Sequence, residues 1–166
     1  MLPRSLGVVA LALLGATAGI AAHTAATKGD TLFSWKRPAN LGVKDGRLAP
    51  CRRTPNCVCS QAGRSDAEHY IAPIRFDGDA AAAMAAARKA IESLPRATVI
   101  RHEANYLHAE FRSRLMRFVD DVELSYDENA DVIHVRSASR LGRRDFGVNR
   151  ERVEALRSLI ERRVGT

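Results

Sequence analysis

Two stretches of sequence decide the fold of this chain: Phe118–Glu123, with the sequence FVDDVE, and Val132–Arg140, with the sequence VIHVRSASR. Phe118, Val122, Leu124 and Tyr126 share one side of the first strand, and Ile133 and Val135 alternate with His134 and Arg136 in the second, a period of two that is typical of β-strands. The polar segment Asp127–Asp131 between them is typical of a hairpin loop. An arginine-rich segment at 142–150 follows, and an amphipathic helix is predicted from about residue 149 to 164. The C-terminal third is therefore predicted to be a β-hairpin followed by a helix.

The preceding sequence adds two strands and one helix to this hairpin. Residues 70–76 are predicted to form a first strand, with Pro73 at an edge or an irregular start. Residues 80–94 form an alanine-rich helix that Pro95 ends, and residues 98–113 form one further strand. The order is strand, helix, three strands, helix. This order predicts a single α+β domain with an antiparallel sheet of about four strands and both helices packed on one face.

The N-terminus has the layout of a secretory signal peptide. Residues 1–4 are a short basic start, and residues 5–27 contain no Asp, Glu, Lys or Arg and begin with an apolar run. Small residues at 16–18 and at 24–26 offer two positions for cleavage. If the segment is not cleaved, its uncharged run is long enough to span a bilayer.

This layout divides the chain into three parts. Residues 1–27 are expected to be a signal peptide or an N-terminal membrane anchor, residues 28–39 a tether, and residues 40–166 the folded domain. Export would put the domain in the periplasm or another extracytoplasmic part of the cell envelope. The formal net charge of +7 favours anionic partners such as lipid headgroups, and export makes nucleic acid an unexpected partner. A well-solvated basic surface is the ordinary alternative.

Three cysteines, Cys51, Cys57 and Cys59, lie close together in the sequence. In an oxidising compartment, such a cluster favours one disulfide and one spare thiol over a zinc site. The spacing matches no familiar zinc pattern, and a fourth ligand such as His69 would be needed. Cys51 with Cys57 is the favoured pair, which closes a tight loop that contains Pro55. A zinc site and a catalytic thiol remain the alternatives.

Several motifs together give the chain a family resemblance. They are LGV at 41–43, DGRL at 45–48 with Cys51, PNCV at 55–58, SQ at 60–61, FVDDVE at 118–123, RSASR at 136–140 and GVNRERVE at 147–154. These motifs resemble the DUF1499 family, a domain of unknown function, over roughly residues 40–164. The resemblance brings no established catalytic residue, substrate or cofactor. The family pattern is usually serine-like at position 59, which implies that Cys59 is the unpaired thiol and that Cys51 and Cys57 are the motif pair.

Asp120 is the residue with the sharpest chemical implication. Strand alternation places its carboxylate on the core side with Val122 and Leu124, where a carboxylate must be paired or hydrogen-bonded. A structural salt bridge, or a bulge that turns Asp120 outward, is the ordinary explanation; a general base or metal ligand is the functional one. The arginines available as partners are Arg117, Arg136, Arg140 and Arg150.

The opposite face of the predicted sheet is expected to be polar and not covered by helices. Its residues are His108, Glu110, Asp121, Glu123, His134 and Arg136. Cross-strand ion pairs on a solvated face are the ordinary interpretation, and we assign Asp120, Asp121 and Glu123 to a structural ionic cluster. A small hydrolase or metal-dependent enzyme that uses Asp120 or Asp121 with His108 or His134 is the alternative. No familiar ligand spacing supports it, so no metal is expected.

The end of the last strand and the start of the last helix form a candidate anion site. Its residues are Arg136, Ser137, Ser139, Arg140, Asn149 and Arg150. Hydroxyls, guanidinium groups and backbone N–H groups near a helix N-terminus suit phosphate or carboxylate, with Asn149 as the N-cap. The alternative is that Arg140 and Arg150 only stabilise the loop by bonding backbone carbonyls and nearby acids. The sequence favours an exported, non-enzymatic module that binds an anionic ligand, a lipid headgroup or an envelope protein without a cofactor.

Overall fold

The computed structural model describes residues 36–115 and 118–164, and within them one antiparallel sheet of six strands packs against two helices. The strands are β1 (Cys57–Cys59), β2 (Ile74–Arg75), β3 (Ala97–His102), β4 (Tyr106–Arg112), β5 (Val119–Asp127) and β6 (Val132–Ser139), and the helices are α1 (Ala80–Glu92) and α2 (Val148–Val164). The order across the sheet is β1, β6, β5, β4, β3. Strand β2 also pairs with β6, on the same edge as β1 but nearer to the start of β6.

The predicted fold class is confirmed, whereas the predicted strand count and order were wrong. The single strand expected at 98–113 is two strands, β3 and β4, because the chain reverses between Glu103 and Tyr106, where the Glu103 amide donates to the Tyr106 carbonyl at 2.8 Å. No glycine or proline marks this turn. Of residues 70–76, only Ile74 and Arg75 form a strand, β2, while Tyr70 makes an isolated bridge to Cys59 of β1. Strand β1 was too short to show a period. The observed order is therefore β-β-α-β-β-β-β-α.

The core lies between the helices and one face of the sheet. The helices contribute Ala83, Met84, Ala87, Ala90, Ile91, Val153, Leu156 and Ile160. The sheet contributes Val58, Ile74, Leu107, Ala109, Phe111, Val122, Leu124, Tyr126, Ile133 and Val135. The alanines let α1 approach the sheet closely, and each large side chain removed from water stabilises the fold by about 1.5–3 kcal/mol. Asp79 caps α1, accepting a hydrogen bond from the Ala82 amide at 2.7 Å.

Residues 36–50, which we call the N-terminal arm, contain one tight turn. Asp45 and Gly46 both have positive φ angles, of 51° and 72°. Such a pair closes a two-residue hairpin, here with two hydrogen bonds between Lys44 and Arg47 at 2.9 and 3.0 Å. Asp-Gly is one of the few sequences that adopts this turn without a large steric penalty.

A disulfide joins the end of the arm to the edge of the sheet. Cys51 and Cys57 are bonded, with their Cα atoms 5.6 Å apart, and this confirms the predicted pair. Cys59 is a buried free thiol. With two of the three sulfurs bonded to each other, the zinc alternative for this cluster fails.

The predicted signal peptide or anchor, residues 1–27, lies outside the described residues, as does most of the predicted tether. In the part of the chain that the structure describes, neither helix is long and apolar enough to cross a bilayer.

The disulfide is expected to stabilise the domain measurably. Replacing both Cys51 and Cys57 with serine should lower the free energy of unfolding by about 2 kcal/mol, because the crosslink restricts a short loop of the unfolded chain. The measurement is urea-induced unfolding. Cys59→Ser, which keeps the crosslink, is the control and should cost less than about 1 kcal/mol. Equal losses in the two variants would show that the crosslink itself contributes nothing.

Candidate functional site

The sheet face opposite the helices is polar, but it is not solvated, and the expectation of an open face was wrong. Three carboxylates on this polar face are buried: Glu110 on β4, and Asp121 and Glu123 on β5, the last with 0% of its surface exposed. The N-terminal arm covers them, with Arg37 and Gly42 bonded directly to Glu110 and Glu123. Alternation in the strands predicted which residues share this face, but it carried no information on what lies over it. Buried carboxylates cost several kcal/mol each unless they are paired.

Arg140, just after β6, bridges two of these carboxylates. Its Nε and Nη2 atoms donate to the two oxygens of Asp121 at 2.8 and 2.7 Å, and Nη2 also lies 2.6 Å from Glu110 Oε1. From the other side, Arg37 Nη2 donates to the same Glu110 oxygen at 2.7 Å. The His108 Nε2 atom completes the set, 2.8 Å from Asp121 Oδ1.

These contacts determine how the two acids titrate. Burial alone would raise the pKa of Glu110, but the hydrogen bonds from Arg37 and Arg140 outweigh it and hold the pKa below its ordinary value. Burial likewise opposes the charge on Asp121, yet its bonds to Arg140 and His108 lower its pKa. Both groups are therefore stable carboxylates, and a carboxylate of lowered pKa with its oxygens occupied is a poor general base.

The third carboxylate, Glu123, is held by three donors from three parts of the chain. Arg136 Nη1 donates to one oxygen at 2.9 Å, while the Gly42 amide and the Tyr106 hydroxyl donate to the other at 2.7 and 2.8 Å. Burial, with the negative charge of Glu123 beside it, raises the pKa of Tyr106, so its phenol stays protonated and donates. The roles of Arg37 and Gly42 were not predicted, because residues 36–42 have no periodicity that would place them over the sheet; the role of Tyr106 in β4 was not predicted either.

Asp120 faces the helices instead, as alternation predicted, but its partner is Arg152 of α2. The two side chains meet at 2.7 Å, and the guanidinium also lies over the Phe111 ring, 4.8 Å from its centroid. Arg152 was not among the predicted partners. A signal was available: Arg152 precedes the buried Val153 in α2, so it lies at the margin of the buried stripe.

The structure places the residues of the predicted anion site in two linked groups and one separate position. Arg136, Ser139 and Arg140 line one cavity. Ser137 and Asn149 are fully buried and bonded to each other, and Asn149 Nδ2 also donates to Ser139 Oγ at 2.9 Å. Arg150 turns away from both groups, and its Nη2 atom donates to the backbone carbonyls of Ala67, Glu68 and Tyr70 at 2.9–3.3 Å.

The prediction that Asn149 caps α2 was wrong. Asn149 is the second residue of the helix, and the carboxylate of Asp145 accepts from the Asn149 amide at 2.8 Å and from the Gly147 amide at 3.2 Å. The positive end of the helix dipole is therefore already occupied by an acid of the same chain. An external anion would have to bind elsewhere.

The cavity beside β6 has a volume of about 290 Å³ and is rich in cations. Its lining includes Lys36, Arg52, Arg136 and Arg140, with Asp121 as the one carboxylate. Lys36 and Arg52 are exposed at its mouth. Arg136 is buried, and among the described residues its Nε atom is the one buried side-chain donor without a hydrogen-bond partner. The cavity lining thus carries excess positive charge, and one of its residues, Arg136, has an N–H group without a hydrogen-bond partner.

The family model described as "Protein of unknown function (DUF1499)" matches residues 47–160. The chain belongs to the DUF1499 family. The DUF1499 match contains the disulfide, the three carboxylates of the polar face and Arg140. Most of the N-terminal arm precedes it, including Arg37 and Gly42. A search of curated proteins and a search of solved structures found no match to this chain.

The second cavity of this DUF1499 domain, of about 820 Å³, borders the arm and includes Cys59 and His69. Both ring nitrogens of His69 have partners: Nδ1 lies 2.9 Å from Asp66 Oδ2, and Nε2 lies 3.3 Å from the Thr54 carbonyl. Burial raises the pKa of the Cys59 thiol, which keeps it protonated. The site therefore lacks the paired base that a catalytic thiol requires.

The histidines and acids of the enzyme alternative do not form one site. His108 contacts Asp121, whereas His134 lies near the other end of β6, 3.2 Å from Ser60 Oγ and 3.7 Å from Asp127. Asp120 is on the opposite face of the sheet. Within residues 36–115 and 118–164, no group of three or more His, Cys, Asp or Glu side chains is arranged to hold a metal ion.

The polar face predicts a pH-dependent stability. Because the pKa values of Glu110 and Asp121 are lowered in the folded state, the unfolded chain binds more protons in acid, and stability should fall as the pH drops below about 4. Arg37→Ala should lower the free energy of unfolding at pH 7 by about 1 kcal/mol and make this pH dependence shallower. The measurement is urea-induced unfolding between pH 3 and 7.

The matched control for this experiment is Arg88→Ala, which removes the exposed ion pair of Arg88 with Glu92 on α1. It should cost less than about 0.5 kcal/mol and leave the pH dependence unchanged. If Arg37→Ala and Arg88→Ala gave the same pH profile, Arg37 would have no influence on the titration of Glu110.

Proposed function

We propose that this DUF1499 domain is a non-enzymatic module that binds a small anion, a phosphate or carboxylate group, in the cavity beside Arg136. The observation that carries the proposal is that Arg136 lines this cavity and that its buried Nε–H group has no hydrogen-bond partner among the described residues. An unpaired buried donor costs about 1–3 kcal/mol, and an anion that accepts from it would recover that cost. Charge-assisted hydrogen bonds to phosphate or carboxylate are also among the strongest that arginine forms.

The charges around the cavity support an anion rather than a neutral ligand. Arg136 and Arg140 are already balanced by Glu123 and Asp121, respectively. The positive charges of Lys36 and Arg52 have no such balance in the cavity lining. An entering anion would meet the exposed Lys36 and Arg52 and would bind against the buried Arg136. The phosphate group of a lipid headgroup offers the same chemistry as free phosphate.

The enzyme alternative, with Asp120 or Asp121 and either His108 or His134, has less support. Asp121 borders the cavity, but both of its oxygens are bonded to Arg140. Asp120 is bonded to Arg152 on the far side of the sheet. Asp121 therefore has no unoccupied oxygen for a substrate proton, and Asp120 does not face the cavity.

Titration with inorganic phosphate tests the proposal. The Arg136 Nε–H resonance should shift in NMR spectra on adding phosphate, relative to sodium chloride at equal ionic strength. Arg52→Ala should weaken binding by about fivefold, because it removes one charge near the anion. Arg53→Ala is the control, since Arg53 is adjacent in sequence but outside the cavity lining. An unmoved Arg136 resonance, or equal weakening in both variants, would contradict the proposal.

We also propose that the chain is exported to the cell envelope, with residues 1–27 as a cleaved signal peptide or a retained anchor. The apolar N-terminal run supports export, and the disulfide fits an oxidising compartment. Intact-mass measurement after fractionation of the native host tests this proposal. The expected result is that the chain is found in the envelope fraction, with a mass that shows it to begin after Ala18 or Ala26 or to retain Met1. Reduced full-length chain in the cytoplasmic fraction would overturn it.

A further inference from the structure

Two large apolar side chains are almost fully exposed at one end of the sheet. Phe146 is 91% exposed in the segment between β6 and α2, and Leu115 is 89% exposed in the turn after β4. Backbone pairing brings these segments to the same end, because Arg112 lies opposite Val119 and the Arg140 amide donates to the Val119 carbonyl at 3.1 Å. Isolated exposed apolar residues are common, but two on neighbouring loops need an explanation.

The same end of the sheet is strongly basic. Its arginines are Arg96, Arg112, Arg114, Arg143 and Arg144. Arg96 lies at this end of the sheet because its backbone carbonyl accepts a hydrogen bond from the Arg112 amide at 3.1 Å. Arg114, Arg143 and Arg144 are exposed and have no ion pair with another described residue. We call these arginines together with Leu115 and Phe146 the basic rim.

The acids near the basic rim do not neutralise it. Glu92 at the end of α1 pairs with Arg88, and the Asp145 carboxylate is bonded to the first turn of α2. Glu151 in that turn is exposed, and Glu110 Oε2 lies 3.6 Å from Arg112 Nη2, so Arg112 is the one rim arginine with an ion pair among the described residues. The rim therefore keeps a clear positive excess.

Backbone geometry makes the position of Phe146 unusual. Phe146 has a φ angle of +55°, in the left-handed region that a bulky residue rarely adopts, and Gly147 follows with +86°. The bonds from Asp145 to Gly147 and Asn149 fix both neighbours. The loop thus holds an aromatic ring in solvent at a conformational cost, which the packing of the domain does not explain.

The chain also enters the described domain close to this end. Lys36 lines the cavity that Arg140 and Leu141 border, and Leu141 begins the segment that carries Arg143, Arg144 and Phe146. Residues 1–35 precede this point and include the uncharged apolar run at 5–27. The described chain therefore begins beside the segment that carries part of the basic rim.

We propose that the basic rim binds the surface of an anionic phospholipid bilayer, with Phe146 and Leu115 inserted at the level of the headgroups. Arginines attract anionic lipids, and aromatic and aliphatic side chains add affinity when they enter the interface. Two inserted apolar side chains alone bind weakly, so the arginines make the contact depend on lipid charge. This inference does not rest on anion binding in the cavity, because the rim uses different residues.

Local tryptophan fluorescence tests the inference in the full chain. The native Trp35 is replaced by phenylalanine, and Phe146→Trp places a single reporter on the rim. The protein is reconstituted in vesicles with brominated acyl chains, either phosphatidylcholine alone or phosphatidylcholine with phosphatidylglycerol. Bromine should quench the reporter at position 146 in the anionic vesicles and much less in the neutral ones. A reporter made by Asn129→Trp, in the β5–β6 turn at the opposite end of the sheet, should stay unquenched.

Charge variants test the basis of the contact. Arg143→Ala with Arg144→Ala should lower the ratio of docked to undocked protein by about 25-fold, about fivefold for each arginine. The control is Arg75→Ala with Arg88→Ala, which removes the same charge elsewhere and should have no effect. Arg52→Ala should also leave quenching unchanged, which separates this result from phosphate binding in the cavity.

Three outcomes would overturn the inference. The first is absence of quenching at position 146 in anionic vesicles, and the second is equal quenching at positions 146 and 129. The third is quenching at position 146 that the Arg143 and Arg144 variants leave unchanged. A spectral shift at position 146 that appears only with envelope proteins, without quenching by lipid, would identify the rim as a protein interface and would equally overturn it.

Discussion

Two of the three buried carboxylates of the polar face share one guanidinium, that of Arg140. It connects the end of β6 to Glu110 on β4 and to Asp121 on β5, so three strands meet at a single side chain. With Arg140 absent, two carboxylates would remain buried under the arm, and a broken buried pair costs about 3–5 kcal/mol. This bridge, together with His108, keeps Asp121 ionised.

The sequence predicted those elements of the fold in which apolar side chains recur with a regular period. The alternation in β5 and β6 and the helical period in α1 and α2 each extend over several residues, so the apolar face of each element could be read directly. Strands β1 and β2 have three and two residues, too few for any period, and they form because β6 offers its edge. Irregular segments are positioned by tertiary bonds, and these leave no periodic signal in the sequence.

The same distinction explains the candidate site. Alternation correctly separated Asp120 from Asp121 and Glu123, since neighbours in a strand point to opposite faces. Alternation could not show which arginine pairs with Asp120. The partner is Arg152, which lies 32 positions further along the chain. The anion-site residues were grouped by sequence proximity, but β6 and α2 direct them to different faces. The cavity is instead lined in part by Lys36 and Arg52, which belong to the irregular N-terminal part of the described chain.

The disulfide has a topological consequence for the arm. Because Cys51 is bonded to Cys57 in β1, the chain after residue 51 cannot leave the edge of the sheet, whatever happens before it. Residues 36–50 are attached through non-covalent bonds such as those of Arg37 and Gly42. The arm is therefore bounded by a covalent crosslink at its C-terminal end, whereas its contacts with Glu110 and Glu123 are non-covalent.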